Sequence, residues 1–296
     1  MTSAGLRRAR GIPPSIGDVN GSSLSDDVVE QLATILAEVL ATGASAPSGP
    51  PELSEAEAVR LARRGATAVV PAVLAMQQVQ EWVRSRETTT AWDGLLHRRC
   101  LMEPIPSRVD GAESACGLDG GTDEPTVQRT GRAGWELLRA ATEVEAGGRC
   151  WRVTHELARR APASRATAVR AGKLTESGVG FDPPPGARFY RLTRGDIAAW
   201  AEATGDGNPI HLLAGRAAEA GLRAGPDDVV AHGLLLGALS LALAQSSPDR
   251  WISLKFIGSA DVPASRRDGA APWATLAVDP DGITISQDRR PVLRRR

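Results

Sequence analysis

Residues 204–211 read Thr-Gly-Asp-Gly-Asn-Pro-Ile-His, and 21 positions after His211 the pair His232-Gly233 heads an apolar run, LLLGALSLAL. Gly and Pro make the first stretch a turn rather than a helix, so Asp206 and His211 can converge on one point. A carboxylate and an imidazole so placed are equipped for acid and base work near neutral pH. The plainer alternative has Asp206 capping the turn and His211 as a satisfied buried residue. Asn208-Pro209 rigidifies the loop between the two groups and favours the first reading. So does His232-Gly233, because free backbone N–H groups at a helix start, with Gly allowing close approach, can stabilise an oxyanion. An acid/base pair beside such a site suits removal of a proton α to a thioester carbonyl, where the enolate needs stabilising as the proton leaves.

The flanking pattern places this stretch in an α+β unit. Thr193 can cap a helix over 194–203, with Asp196 where a capping box puts its acceptor. Pro226 breaks the chain before the helix Gly233 to Gln245, whose leucines and alanines occur on every side, so it is buried all round. Trp251 to Ile257, Trp273 to Val278 and Ile283 to Ser286 read as strands, with Asp281-Gly282 as the last turn. A long buried helix wrapped by a curved antiparallel sheet is the expected outcome.

Upstream, a similar order of elements occurs. Residues 54–64 look helical, and Pro71 opens a second helical stretch carrying Val73, Leu74, Met76, Val79 and Trp82. Trp135 to Glu145 and Arg149 to Arg159 read as two long strands joined across Gly147-Gly148. Residues 1 to about 22 are small, polar and flexible in composition. Ser25 can cap a helix whose apolar set Val28, Leu32, Ile35, Leu36, Val39 and Leu40 forms one stripe, read as packing on the main body rather than as a partner's docking face. A Pro/Gly/Ser linker, 41–53, separates this helix from the rest, so removing residues 1–50 is expected to leave the chemistry largely unchanged.

Composition narrows the function classes. Lys plus Arg and Asp plus Glu each number 35 in 296 residues, so no global field draws the chain to nucleic acid or to an anionic membrane. The basic run Arg289, Arg290, Arg294, Arg295 and Arg296 reads as a solvated tail. Cys100, Cys116 and Cys150 are odd in number and lack C-x-x-C spacing, which suggests neither a disulfide framework nor a zinc site and fits a reducing cytoplasm. No apolar run reaches a membrane span, and Arg7, Arg8 and Arg10 are followed by Pro-Pro-Ser rather than by a signal core.

GDGNPIH, a helix, and then AHGLLLGALSLAL resemble the hydratase motif of MaoC-like hot-dog proteins, the group that includes R-specific enoyl-CoA hydratases and dehydratase units of some fatty-acid synthases. The resemblance spans about residues 187–265. It implies that Asp206 and His211 are the catalytic pair, that the Gly233 N–H polarises the thioester carbonyl, that Asn208 holds the loop, and that His232 is structural. GRAGWELLRAATEVEAGGRCWRVTHELARR, residues 131–160, looks like the degenerate first unit of double hot-dog dehydratases. That half lacks the motif, and its two histidines, His97 and His155, are read as structural. By analogy it would supply the acyl-chain pocket and replace the second subunit of a single-hot-dog dimer.

The resemblance therefore implies a double hot-dog, two antiparallel sheets each wrapping a central helix. Its parts would be an N-terminal segment 1–53, a degenerate unit 54–160, a linker 161–187 and a motif-bearing unit 188–296. The implied activity interconverts a (3R)-3-hydroxyacyl thioester and a trans-2-enoyl thioester in the cytoplasm. It needs no metal or redox cofactor, since coenzyme A or an acyl carrier protein's pantetheine arm is part of the substrate. The chain would be a monomeric pseudo-dimer or a homodimer. Gly207 stands where many members carry a bulky residue, and Ser240 lies one position from a serine used by some hydratases. Both departures suggest an altered pocket and raise the alternative of a polyketide-pathway enzyme, a trans-acting dehydratase or a cyclase, acting on a large intermediate.

Overall fold

Gly147 and Gly148 lie at φ of +58° and +69°, the left-handed pair that a tight hairpin turn needs and that Gly adopts without strain. They join two twelve-residue strands, Trp135–Ala146 and Arg149–Arg160, in unbroken antiparallel register. The computed structural model of the chain describes residues 21–45, 51–86, 92–106, 124–132, 134–161, 182–244, 251–263 and 273–296.

The first elements are α1 (Gly21–Ala41), β1 (Ala44–Ser45), α2 (Glu55–Arg86), β2 (Leu96–Pro104), β3 (Thr126–Arg132), and the hairpin strands β4 and β5. Then come β6 (Arg188–Thr193), α3 (Arg194–Thr204), α4 (Pro209–Leu212), α5 (Arg216–Glu219), β7 (Val229–Val230) and α6 (Gly233–Leu243). Last are β8 (Ile252–Phe256), β9 (Asp261–Val262), β10 (Trp273–Val278), β11 (Thr284–Gln287) and β12 (Arg290–Arg295). The fold is α+β. Where two separate sheets were expected, ten strands form one continuous antiparallel sheet in the order β1-β6-β10-β11-β12-β8-β2-β5-β4-β3, and β7 and β9 form a small ribbon. The pairing of β2 with β8, Cys100 opposite Leu254, joins the N-terminal strands to the C-terminal ones.

Two helices run beneath this sheet and touch each other. α2 packs on β4 and β5, and α6 on β11 and β12. Gly65 is what lets them meet: a Cβ there would lie 2.5 Å from the Ala238 carbonyl oxygen and 2.8 Å from the Ala242 Cβ. α2 is one helix of 32 residues that runs through Pro71, not two helices with Pro71 at the start of the second. Proline forfeits one backbone hydrogen bond, but the buried set around it, Val69, Val70, Val73 and Met76, holds both flanks in the same core.

Four further expectations are corrected. α1 begins at Gly21, ahead of Ser25, and although its stripe packs on the main body as expected, with Leu32, Leu36 and Leu40 fully buried, the segment is not set apart. The helix packs on α2 and α3, and β1 pairs with β6, so the linker does not isolate this segment. The basic run is not a tail. β12 lies between β11 and β8 after a turn with Asp288 and Arg289 at φ of +48° and +61°. The Arg295 guanidinium is half-buried and donates to the Ser240 hydroxyl (3.3 Å) and the Asp281 carbonyl (2.7 Å). Asp281-Gly282 is a turn but not the last one. Finally, Cys150 is disulfide-bonded while Cys100 is a buried free thiol. An odd count excludes only complete pairing, and the cysteine argument for a reducing compartment lapses. Among the described residues no helix is long and apolar enough to cross a membrane.

Candidate active site

The decisive turn is built by two helix ends. Thr193 caps α3 through the anticipated capping box with Asp196. At the other end Gly205, at φ of +68°, takes the left-handed C-cap position that stops α3 and throws the chain outward. Asn208 then caps the single turn α4, its side-chain oxygen accepting from the Ile210 N–H, and Pro209 fills the first helical position, where its missing N–H costs nothing. His211 therefore projects from a rigid turn rather than from a loose loop.

Hydrogen bonds from the N-terminal half fix this turn in place. The Trp92 indole N–H donates to Asp206 Oδ1 (3.2 Å), which also accepts from the Asn208 N–H (3.3 Å). Asn208 is spent on structure: Nδ2 donates to the Leu95 carbonyl (2.9 Å), and Oδ1 accepts from the Gly94 N–H (3.4 Å). Gln77 of α2 donates to the Thr204 carbonyl (3.0 Å).

The imidazoles are ordered just as tightly. His211 Nδ1–H donates to the Val230 carbonyl (2.8 Å), which leaves the Nε2 lone pair available. His232 Nε2–H donates to the Asp206 carbonyl (3.2 Å), and its ring stacks on His211 with centroids 3.7 Å apart and planes at 25°. The donor atoms of Asp206, His211 and His232 lie within 4.8 Å of one another. Burial pushes the His211 pKa down, opposed by the Asp206 charge and the Val230 bond. Burial, followed by the neighbouring His211, holds His232 down at about 3. Both rings are thus neutral near pH 7, so His211 is in the form that can accept a proton.

Gly233 opens α6 behind a cap residue, His232, whose side chain makes no capping bond. The first-turn N–H groups carry the partial positive charge of a helix start, and Gly233 and Leu234 belong to the wall of the cavity that holds Asp206 and His211. A Cβ at Gly233 would stand 3.1 Å from the Phe256 ring, so glycine is what lets that ring close on the start of α6. A cavity of about 30 Å³ contains Asp206, His211, His232 and Gly233 in its wall, and a second of about 60 Å³ shares His211 and Gly233 with it. A wider recess, about 770 Å³, lies over the sheet among Arg98, Arg99, Arg139, Lys255, Arg294 and Arg296 and includes none of these groups.

Gly207 does not open room beside the pair. It is exposed, absent from both cavity walls, and a Cβ there would meet nothing within 4 Å. Its φ lies outside the left-handed range, so a backbone requirement for glycine is absent as well. Ser240 lies in α6 and is bonded to the Gly282 carbonyl, outside both walls.

Sequence reading passed over several residues that the fold brings to this place. His97, on β2, lines both cavities, 4.4 Å from the Phe256 ring centroid. His155 stands behind it, with its Nδ1 3.1 Å from His97 Nε2 and its Nε2–H donating to the Ala72 carbonyl. Trp92 and Gln80 also line the first cavity. No local motif could have marked them, since Gln80, Trp92 and His97 reach the turn across more than a hundred residues of chain and His155 across about fifty.

Among the described residues two clusters have donor atoms close enough to hold a metal ion, Asp206/His211/His232 and His97/Cys100/His155. In the first, His211 Nδ1 and His232 Nε2 are committed to backbone carbonyls, which leaves one nitrogen on each ring beside the carboxyl. In the second, burial drives the Cys100 thiol pKa far up, away from the thiolate a metal binds, and both His155 nitrogens are engaged. The second set does not fit a resident ion.

No family model and no curated protein matches the chain. Solved structures do. HtdX of Mycobacterium tuberculosis aligns over 86% of this chain and 97% of its own, with 19% identity and a TM-score of 0.49. Peroxisomal multifunctional enzyme type 2 of Drosophila melanogaster aligns over 90% of this chain but only 45% of its own length, with 16% identity and a TM-score of 0.44. A MaoC-like dehydratase from Phytophthora capsici aligns over 68% and 69%, with 12% identity and a TM-score of 0.37. The structural neighbours thus include a MaoC-like dehydratase.

Proposed function

We propose that the chain is a MaoC-like hydro-lyase that interconverts a (3R)-3-hydroxyacyl thioester and a trans-2-enoyl thioester. One observation carries this reading: the Val230 carbonyl commits His211 Nδ1, so a neutral Nε2 lone pair stands beside the Asp206 carboxyl at the opening of α6. In dehydration His211 Nε2 takes the α-proton, and the Gly233 N–H holds the enolate oxygen that forms. The same proton passes through Asp206 to the 3-hydroxyl, the C3–O bond breaks, and water leaves as C2=C3 forms, which returns both groups to their starting state. Protons and water account for the whole reaction, so no metal or redox cofactor takes part, and the coenzyme A or carrier-protein arm belongs to the substrate.

In this reading residues 54–160 and 188–296 are two hot-dog units, α2 with β2 to β5 and α6 with the C-terminal strands. The pseudo-dimer completes within one chain. The first unit keeps the positioning role and has given up the acid and base. Incubation with crotonyl-CoA and longer enoyl-CoAs, followed by loss of the enoyl chromophore, tests the activity. Asp206→Asn and His211→Gln are each expected to lower turnover by about 10²–10⁴ with an unchanged melting temperature. Near wild-type turnover in both variants would show that the roles are wrongly assigned.

A further inference from the structure

Three glutamines lie close together on α2, and their fates differ. Gln77 donates to the Thr204 carbonyl and Gln78 accepts from the Thr142 hydroxyl. Gln80 is only 2% exposed, and its Nε2 has no hydrogen-bond partner. A buried amide donor left unpaired is costly, and such groups are rare in native structures unless something outside the chain completes them. Gln80 lines the same cavity as Asp206 and His211. Val73, Met76 and Gln80 form one stripe of α2 along that wall, roughly 10 Å from the first to the last at 1.5 Å per residue.

Resting on the hydro-lyase reading, we infer that Gln80 binds an uncharged oxygen on the substrate's acyl chain, a keto or hydroxyl group distinct from the thioester carbonyl and the 3-hydroxyl. Those two oxygens are already matched by the Gly233 N–H and by Asp206 in that mechanism. An N–H donor calls for an acceptor, so a plain hydrocarbon tail leaves Gln80 unsatisfied. The oxygen is uncharged because, among the described residues, no Lys or Arg lines this cavity and its imidazoles are held neutral, so nothing there pairs with an anion. The substrate class is therefore an oxygenated acyl thioester.

The test compares trans-2-enoyl thioesters of equal length with and without one keto or hydroxyl group beyond C4, using the full chain. Wild type is expected to favour the oxygenated member by about 10- to 100-fold in kcat/KM, the discrimination of a site built around a polar contact. Gln80→Leu should bring that ratio close to one. Its melting temperature should hold or rise, because the variant removes an unpaired buried donor. Gln80→Met, of similar length and also without a donor, repeats both readouts. A wild-type ratio near one, or a ratio unchanged by either variant, overturns the inference, as does equal loss on both substrates, which would place Gln80 at the reacting water instead. A markedly lowered melting temperature in both variants also overturns it, since the donor would then be satisfied within the protein. Inactivity of wild type on every substrate sinks the hydro-lyase reading, whereas equal activity on the two sinks this inference alone.

Discussion

All four histidines of the chain, His97, His155, His211 and His232, are held neutral by burial, and mild acid should therefore destabilise it. Burial keeps His155 at about 4 against an ordinary 6.5, with the Ala72 bond pulling the other way. The native pKa lies below the unfolded one, so the unfolded chain binds more protons and stability falls as the pH is lowered. The contribution is whole above about 6.5 and is lost as the pH drops toward about 4. By pH 5 the unfolded state gains roughly 1.5 pH units of protonation, about 2 kcal/mol from His155 alone at about 1.36 kcal/mol per unit. His232, held lower still, adds about as much, and His97 and His211 act in the same direction. A total near 4 kcal/mol is a large share of the roughly 5–15 kcal/mol that stabilises a typical protein. Urea unfolding at pH 7, 6 and 5 should show a midpoint falling by about 1 M or more for a slope near 3 kcal/mol per M. Most carboxylates titrate below this window, so the drop reports on the histidines. His155→Gln, which can keep the Ala72 bond, should remove about half of the dependence. A midpoint that stays flat from pH 7 to pH 5 would refute the reasoning.

Other outcomes follow from packing. Gly65→Ala should cost about 3 kcal/mol, the upper range of overpacking, because the new methyl meets the α6 backbone; an unchanged melting curve would mean the helices can part freely. Gly207→Ala should alter stability by less than about 0.5 kcal/mol, and a larger loss would show that the turn needs glycine after all. Deleting residues 290–296 strips β12 from between β11 and β8, so the product should expose apolar surface and bind hydrophobic dyes. A soluble product with native melting would restore the tail reading. Deleting residues 1–45 should also cause aggregation, because Leu32, Leu36 and Leu40 leave their places on α2; native melting of that fragment would show that α1 is dispensable.

Local chemistry was legible where one short stretch carries it. The capping box at Thr193, the Gly147-Gly148 hairpin and the Gly/Pro-bounded turn at Asp206 all depend on neighbours within a few residues, and each stands where its sequence says. What failed were features that tertiary contacts decide. Pro71 should break a helix by local rules, yet core burial on both sides carries α2 through it. Asp288-Arg289 has no glycine to announce its left-handed turn, and Pro291 disguises β12, so a strand pair read as a charged tail. The site shows the same division: Asp206, Asn208 and His211 announce themselves, whereas Trp92, His97 and Gln80 depend on how distant segments dock.

Trp92, Gly94 and Leu95 grip Asp206 and Asn208 from the half that lacks the Asp/His motif. That half is therefore under a geometric obligation instead of a chemical one: an indole and two peptide groups must stay at fixed places. In the proposed reaction, lesions in that seat would lower turnover while touching no reacting atom, and they would lie far from the motif in sequence. An inert partner of this kind cannot be shed, because losing it would leave a correct set of reagents with nothing to hold them apart or aim them.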